Sequence, residues 1–163
     1  MVSKDDLIFI TRTILSELKM WSYDAEELIL RTGAAESHYK YLRQISGPAR
    51  SFWQVESATC LDNISNYLIY RPDKLDLVAK ISQTSSDIIT ELDDNSATKM
   101  LTHNIAFAIC NARIKYWRIP KKIPNRHDID AQGEYYIKYY NAGGKATMKK
   151  WKDAVDLIGL INH

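Results

Sequence analysis

The sequence predicts a mostly α-helical protein that folds as one domain. Its 163 residues suffice for one hydrophobic core and are too few for two domains of ordinary size. Apolar residues recur at helical spacing along most of the chain, whereas strand-like alternation is scarce. The 45% hydrophobic and 26% charged residues are typical of globular proteins and argue against a disordered chain. We therefore expect a single domain over residues 1–163.

Helical periodicity in the first half of the chain predicts five segments. These cover approximately residues 4–20, 24–36, 57–71, 74–82 and 86–92. The second is predicted to begin at Asp24, because Glu27 three residues later completes a capping-box pattern. The third stops before Pro72. Residues 40–54 contain Gly47-Pro48 and are predicted to form a loop, or a small β-hairpin.

The second half contains the strongest helical pattern of the chain. The stretch NSATKMLTHNIAFAICNARIKYW, residues 95–117, predicts one helix with Ser96 as its N-cap and Pro120 beyond its end. Its alanine-rich centre indicates a closely packed helix through the middle of the domain. A further helix is predicted from about residue 130 to the Gly143-Gly144 pair, and a last one over about 147–160.

Charge and apolar runs limit the possible partners. A formal net charge of +2 does not demand nucleic acid, and no basic recognition helix is evident. The segment RIPKKIPNRH, residues 118–127, is interpreted as a solvated basic loop or, alternatively, an anion site built from Lys121, Lys122 and Arg126. No apolar run approaches the roughly 18 residues of a membrane-spanning helix. We expect a monomer without stable membrane insertion.

Cysteine and histidine positions predict neither a metal centre nor a cofactor. Cys60 and Cys110 lie far apart in apolar helical patterns and are interpreted as buried free thiols. The histidines lack the spacing of zinc ligands or of a catalytic triad; they are His38, His103, His127 and His163. The N-terminus is a poor signal peptide, because Asp5 and Asp6 precede its short apolar run. Synthesis in a cytoplasm is expected.

Glu36 is the candidate general acid. It is predicted to end a helix after Gly33-Ala34-Ala35, whose small side chains let other elements approach closely. Burial and the negative end of the helix dipole would both raise the pKa of its carboxyl group. A raised pKa is what a general acid near neutral pH requires. The alternative interpretation is a solvated glutamate at a helix end.

Three stretches pair polar residues with aromatic ones, and their order resembles a known enzyme group. They are GAAESHY at 33–39, GPARSFWQVESAT at 47–59 and YYNAGGKAT at 139–147. Together they resemble the lytic transglycosylases of the lysozyme-like superfamily, which carry E-S-x-F, then G-A-x-G-L-M-Q, then a late A-Y-N-A-G. The resemblance spans about residues 24–155. Each motif is weak alone, whereas three in order are fairly specific.

The departures from the family pattern bear on the substrate rather than on the acid. Tyr39 replaces the usual phenylalanine, Pro48 and Ser51 replace glycines, and the apolar pair is the bulkier Phe52-Trp53. This variant is most similar to phage-borne members of the group, which points to a viral origin.

The resemblance implies a lysozyme-like domain that cleaves the β-1,4 bond between N-acetylmuramic acid and N-acetylglucosamine in peptidoglycan without a cofactor. Glu36 would protonate the glycosidic oxygen and then take a proton from the C6 hydroxyl, which yields a 1,6-anhydro sugar. In a hydrolytic muramidase, water would attack instead, with Glu56 as the second carboxylate and Asp62 as a weaker candidate. The alternative for Glu56 is a structural role at a helix start or beside Arg50.

The other site residues are predicted to line a saccharide cleft. Gln54 can hold hydroxyl and acetamido groups. By resemblance, Tyr140 would orient Glu36, with a core aromatic as its alternative, and Asn141 would bind a sugar or cap a helix. The remaining substrate-binding candidates are Ser37, Tyr39, Phe52, Trp53 and Tyr139.

Three roles remain open at this level. The first is a phage endolysin, which would need a membrane pore to reach the wall. The second is the hydrolytic muramidase, and the third is a virion protein that uses the fold for assembly or wall penetration. A catalytic glutamate at position 36 favours the enzymes.

Overall fold

Helices form the secondary structure of this chain, as the apolar periodicity predicts. The computed structural model describes residues 2–160, and that range contains nine α-helices, a 3₁₀ turn at Leu68–Tyr70 and no β-strand. The helices are α1 (Lys4–Glu17), α2 (Tyr23–Ser37), α3 (Ser57–Asn66), α4 (Pro72–Ile81), α5 (Ser86–Thr90), α6 (Asp94–His103), α7 (Ile105–Trp117), α8 (Ile129–Tyr139) and α9 (Met148–Leu157). The mostly α-helical fold class is thereby confirmed.

The long helix predicted over residues 95–117 is wrong as one element, because it breaks at Asn104. That residue has extended backbone angles, φ −120° and ψ 98°, and lies between α6 and α7. Its side chain accepts a hydrogen bond from the Phe107 amide and donates one to the Ser82 carbonyl, each at 2.9 Å. An asparagine side chain that satisfies a helix start competes with continued helix. Ser96 is accordingly not the N-cap of α6; Asp93 is, and the two form a capping box.

The start of α2 also differs from the predicted capping box at Asp24. Ser22 is the N-cap, and its hydroxyl accepts a hydrogen bond from the Ala25 amide at 3.1 Å. Asp24 lies in the first turn, where its carboxylate accepts from the backbone N–H of Arg126 at 2.7 Å. Asp24 therefore links α2 to the segment 118–127, called here the proline-containing loop. No local sequence pattern reveals this contact.

Residues 40–54 form a loop that is closed by two isolated antiparallel bridges. Arg50 is bridged to Arg43 on one side and to Val55 on the other. The loop prediction is confirmed, and within the described chain these bridges are all that corresponds to the hairpin.

One connected hydrophobic core holds the helices of residues 2–160 together. Its centre is α7, which packs against α1, α2, α3, α4 and α6. Phe107, Ala108, Ile109 and Cys110 are fully buried, as expected for a closely packed central helix. Cys60 and Cys110 are buried free thiols, in agreement with the prediction. Among the described helices, none has the length and apolar character needed to cross a bilayer.

Candidate active site

The turn that follows Glu36 is folded back tightly onto α2. His38 and Tyr39 both have left-handed backbone angles, each with φ 53°. The Tyr39 hydroxyl donates to the Leu30 carbonyl at 2.8 Å, so its ring lies against the helix. A Cβ atom at Gly33 would lie 2.4 Å from Cζ of Tyr39. Gly33 is therefore required by this close approach, and the GAAESHY stretch is a folded end of α2.

Two predicted substrate-binding residues of this turn have structural roles, and Ser37 also contributes to the lining of a cleft beside Glu36. Tyr39 is 1% exposed. Ser37 is also buried, where its hydroxyl donates to the Gly33 carbonyl at 3.2 Å and accepts from the Tyr39 amide at 3.1 Å. Both side chains fix the turn that presents Glu36.

The Glu36 carboxyl group is half-buried and receives two hydrogen bonds. The Tyr136 hydroxyl donates to Oε1 at 2.8 Å, and the Asn141 amide nitrogen donates to the same oxygen at 3.1 Å. Since Oε1 accepts both bonds, Oε2 is the oxygen that can carry and release a proton. Residues more than 90 positions away in sequence thus orient one carboxyl group.

Burial is the main influence on this group, and it raises the pKa of Glu36 above the ordinary glutamate value. The hydrogen bonds from Tyr136 and Asn141 and the positive charge of Lys115 act in the opposite direction. The net shift is upward, so Glu36 stays protonated at higher pH than an exposed glutamate. That electrostatic setting suits a proton donor.

Lys115 is a site residue that the sequence analysis missed. It is half-buried on α7, and its ammonium group donates to the Tyr140 carbonyl at 2.7 Å and lies 4.1 Å from the Tyr140 ring centroid. Burial lowers the pKa of Lys115, while the charges of Glu36 and Glu56 raise it. The available signal was a lysine near the end of the mostly apolar stretch 105–117, where Asn111 and Arg113 are the other strongly polar residues.

Glu36 contributes to the lining of two clefts. One has a volume of about 390 Å³, and its polar wall includes Lys40, Arg43, Gln44 and Gln54. A hollow of about 510 Å³ shares part of that wall and extends it along the 40–50 loop. The other cleft has a volume of about 220 Å³; besides Glu36 it is lined by Ala35, Tyr136, Asn141, Lys145, Ala146, Lys150 and Trp151.

The Phe52-Trp53 pair does not line the cleft, contrary to the prediction. Phe52 is 8% exposed and Trp53 is fully buried. The Trp53 indole donates to the Ile29 carbonyl at 2.9 Å, and Tyr39, Phe52 and Trp53 form a cluster of rings with centroids 5.5–6.1 Å apart. Large rings gain more from core burial than from exposure.

Gln54 does lie on the cleft wall, as predicted. Its backbone has φ 47°, and its side-chain amide donates to the Ser51 carbonyl at 2.7 Å. The side chain is half-buried at this position. The exposed aromatic residue of this wall is Tyr41, which the motif comparison did not indicate.

The predicted orienting role of Tyr140 belongs to Tyr136. The Tyr140 hydroxyl donates to the Trp53 carbonyl at 2.7 Å and its side chain is buried, so the core alternative is correct for it. Tyr139 is half-buried, with its ring 4.8 Å from that of Tyr135. The sequence offers two tyrosine pairs about one helical turn apart, Tyr135-Tyr136 within α8 and Tyr139-Tyr140 at its end. Spacing alone does not select between them.

Asn141 is placed in the site by the end of α8. This helix stops at Tyr139, earlier than the Gly143-Gly144 pair that was predicted to end it. The backbone N–H of Asn141 then donates to the Tyr136 carbonyl at 3.0 Å. Its side-chain oxygen accepts from the Ala146 amide at 3.3 Å, while its nitrogen bonds Glu36. Asn141 thus braces both the loop and the carboxyl group.

The other candidate carboxylates lie apart from these contacts. Glu56 is exposed at the N-cap position of α3 and makes no side-chain capping bond there. Asp62 forms an ion pair with Arg118, with 2.6 Å between Oδ2 and Nη1. Arg50 donates to the carbonyls of Gly47 and Ala49 rather than to Glu56. Glu36 is therefore the carboxylate with the setting of an acid.

In residues 2–160, no group of three or more His, Cys, Asp or Glu side chains is arranged to hold a metal ion. His163, one of the histidines considered for metal binding, lies outside the described residues. Comparisons with protein-family models, with curated proteins and with solved structures find no match to this chain.

Proposed function

We propose that this protein is a peptidoglycan-cleaving glycosidase of the lysozyme-like type that acts as a lytic transglycosylase. The observation that carries the proposal is the Glu36 carboxyl group, which has a raised pKa and borders two clefts. Asn141, from the last of the three family-like motifs, donates a hydrogen bond to this residue of the first motif. This hydrogen bond between residues of two separate motifs supports the proposal that both motifs belong to one active site.

The proposed reaction uses Glu36 twice. Its protonated Oε2 gives a proton to the glycosidic oxygen as the bond from the anomeric carbon to that oxygen breaks. The acetamido oxygen of the substrate stabilises the positive charge, so a second carboxylate is not compulsory. The C6 hydroxyl of the same sugar then attacks the anomeric carbon, and the Glu36 carboxylate takes its proton. The acid is restored, the product is a 1,6-anhydro sugar, and no water is consumed.

The charges along the clefts suit an anionic glycan. Lys145 and Lys150 line one of the clefts that Glu36 borders, and Lys40 and Arg43 line the other. Peptidoglycan strands carry carboxylates on their lactyl and peptide substituents, and such groups are attracted to lysine and arginine. A strand that runs through both clefts would place a glycosidic bond at Glu36.

A hydrolytic muramidase is the second candidate, and one observation favours it. Lys115 experiences the charges of both Glu36 and Glu56, so the two carboxylates lie in one electrostatic neighbourhood. In that reaction a water held by Glu56 would attack the anomeric carbon, and the product would have a reducing end.

The proposed biological setting is phage-induced lysis. The protein would be made in the host cytoplasm and would reach the wall through a membrane pore, as an endolysin does. A virion-associated protein for wall penetration would use the same chemistry after release.

The decisive experiment is digestion of purified peptidoglycan, with the products identified by mass spectrometry. We expect wild type to release anhydro-muropeptides. The Glu36→Gln variant should lose about 10²- to 10⁴-fold in rate, because glutamine cannot transfer the proton. Glu134→Gln, an isosteric change at an exposed position of α8, is the matched control and should leave the rate unchanged.

Three other outcomes would change the proposal. Reducing-end products that disappear in Glu36→Gln would establish the hydrolase and give Glu56 its water-positioning role. Full activity of Glu36→Gln would contradict Glu36 as the acid. If wild type cleaves none of several wall types, the virion structural role would replace the enzyme.

A further inference from the structure

A separate cavity lies where the link between α1 and α2 meets the end of α7 and the proline-containing loop. Its volume is about 380 Å³. Arg113 and Trp117 of α7 line it, together with Lys121 and Lys122 of the loop and Ser22 and Asp24 at the start of α2. It shares no lining residue with the two clefts beside Glu36.

Arg113 lines this cavity, and its guanidinium group is buried and incompletely hydrogen-bonded. It is 5% exposed, and its Nε donates to the Met20 carbonyl at 3.0 Å. Its Nη1, although buried, has no hydrogen-bond partner anywhere in residues 2–160, and none of the ion pairs in that range includes Arg113. A buried donor of this kind is costly unless something bonds it.

The guanidinium group remains charged in this setting. Burial lowers the pKa of Arg113 to about 10, which still leaves it cationic at neutral pH. It lies 5.0 Å from the ring centroid of the exposed Trp117, a stacking arrangement that holds its plane in place.

The rim of the cavity adds two positive charges. Lys121 and Lys122 are both exposed there, and the Tyr135 hydroxyl fixes the loop by donating to the Lys121 carbonyl at 2.9 Å. The single acidic side chain of the wall, Asp24, accepts a hydrogen bond from the Arg126 amide. Ile119 and Ile123 provide an apolar surface beside these cations.

We propose that this cavity is a binding site for a phosphate group, carried as a monoester or a diester on an apolar or sugar-like body. Arginine has the planar donor geometry that phosphate oxygens match, and the two neighbouring lysines add positive charge around a bound anion. The body of the ligand would lie on Trp117 and the two isoleucines. This inference does not depend on glycan cleavage, because the cavity shares no lining residue with the Glu36 clefts.

The test is a titration of the full ¹⁵N-labelled chain with inorganic phosphate at constant ionic strength. We expect saturable NMR shifts of the Arg113 Nε–H and Trp117 indole N–H signals. Lys122→Glu should weaken binding about tenfold, since it reverses a charge at the rim. Lys80→Glu, the same change at an exposed position of α4, is the matched control and should leave the affinity unchanged.

A second variant and a second ligand sharpen the result. Arg113→Lys keeps the positive charge and removes the planar set of N–H donors. The affinity for phosphate should therefore fall, while the remaining signals of the NMR spectrum show an intact fold. A glycerol phosphate oligomer that binds more tightly than inorganic phosphate would identify a phosphodiester polymer as the source; the reverse order would identify a small phosphate. Shifts that do not saturate, or an equal loss in Lys80→Glu, would overturn the proposed site whether or not the protein cleaves peptidoglycan.

Discussion

At the scale of single residues, the site is defined by what surrounds Glu36. A glutamate at the end of a helix is ordinarily solvated, and its pKa is then ordinary. Here burial raises that pKa, while Tyr136, Asn141 and Lys115 limit the rise. The opposing effects leave the pKa of Glu36 above the ordinary glutamate value but below what burial alone would give. Such a pKa suits a residue that acts first as an acid and then as a base.

Replacement of Tyr136 should move the pH profile of cleavage in a defined direction. Glu36 must be protonated to act as the acid, so the rate falls as pH rises through its pKa. The Tyr136 hydroxyl favours the ionised form and lowers that pKa. Tyr136→Phe should therefore shift the alkaline limb to higher pH and reduce the optimal rate on the order of tenfold, the worth of one hydrogen bond to a charged group.

The measurement is initial rate against pH on purified peptidoglycan. Tyr139→Phe is the matched control, because the ring of Tyr139 packs on Tyr135 and its profile should coincide with wild type. If the alkaline limb of the pH–rate profile moved to lower pH in Tyr136→Phe, a group other than Glu36 would determine that limb.

The same shift makes folding stability depend on pH. A carboxyl group whose pKa is raised on folding destabilises the folded state once pH rises above its unfolded value, and the loss is complete above the folded pKa. Glu36→Gln removes this penalty. The variant should therefore gain thermal stability relative to wild type as pH rises through that window and show little difference in acid. Melting temperatures across pH test this, and an equal difference at every pH would contradict it.

At the scale of elements, the break between α6 and α7 is the clearest departure from local periodicity. Apolar spacing continues through residues 95–117, yet Asn104 ends one helix and caps the next. The break lets α7 take the central position in the core while α6 packs on α3. Asparagine can satisfy both a helix start and a distant carbonyl, so the side chain supplies what the lost helical bonds would have given.

Asn104→Ala should destabilise the fold by about 1–2 kcal/mol, the combined effect of a lost N-cap and a lost hydrogen bond to Ser82. Urea denaturation followed by circular dichroism would measure the change in the free energy of unfolding. Asn95→Ala, at an exposed position in the first turn of α6, is the control and should have a much smaller effect. An unchanged or higher stability of Asn104→Ala would show that the cap contributes nothing.

At the scale of the whole molecule, the core and the clefts share the same motifs. The aromatic cluster of Tyr39, Phe52 and Trp53 anchors the loop that carries Gln54. The Tyr140 hydroxyl bonds the Trp53 carbonyl, which joins the late motif to the middle one. Motif residues that do not face the clefts thus hold together those that do.

Charge reversal at Lys145 tests whether the smaller cleft takes part in binding. In a Glu36→Gln background, which retains the ligand uncut, Lys145→Glu should weaken co-sedimentation with insoluble peptidoglycan about two- to fivefold, the usual worth of an exposed ion pair. The effect should diminish with added salt. Lys80→Glu in the same background is the control, and an equal loss in both variants would indicate a general charge effect.

The sequence by itself determined the helical class, most helix positions, the loop over 40–54 and the candidacy of Glu36. These follow from periodicity, caps and breakers, which act over a few residues. Only the tertiary structure decided that Tyr136 rather than Tyr140 bonds Glu36 and that Phe52-Trp53 is core. It also revealed the charge of Lys115 near Glu36, and it placed Arg113 in the lining of a separate cavity. The buried Nη1 of Arg113 has no hydrogen-bond partner within residues 2–160. Such properties depend on which side chains meet across the fold, and burial and pairing between distant residues have no local signature in the chain.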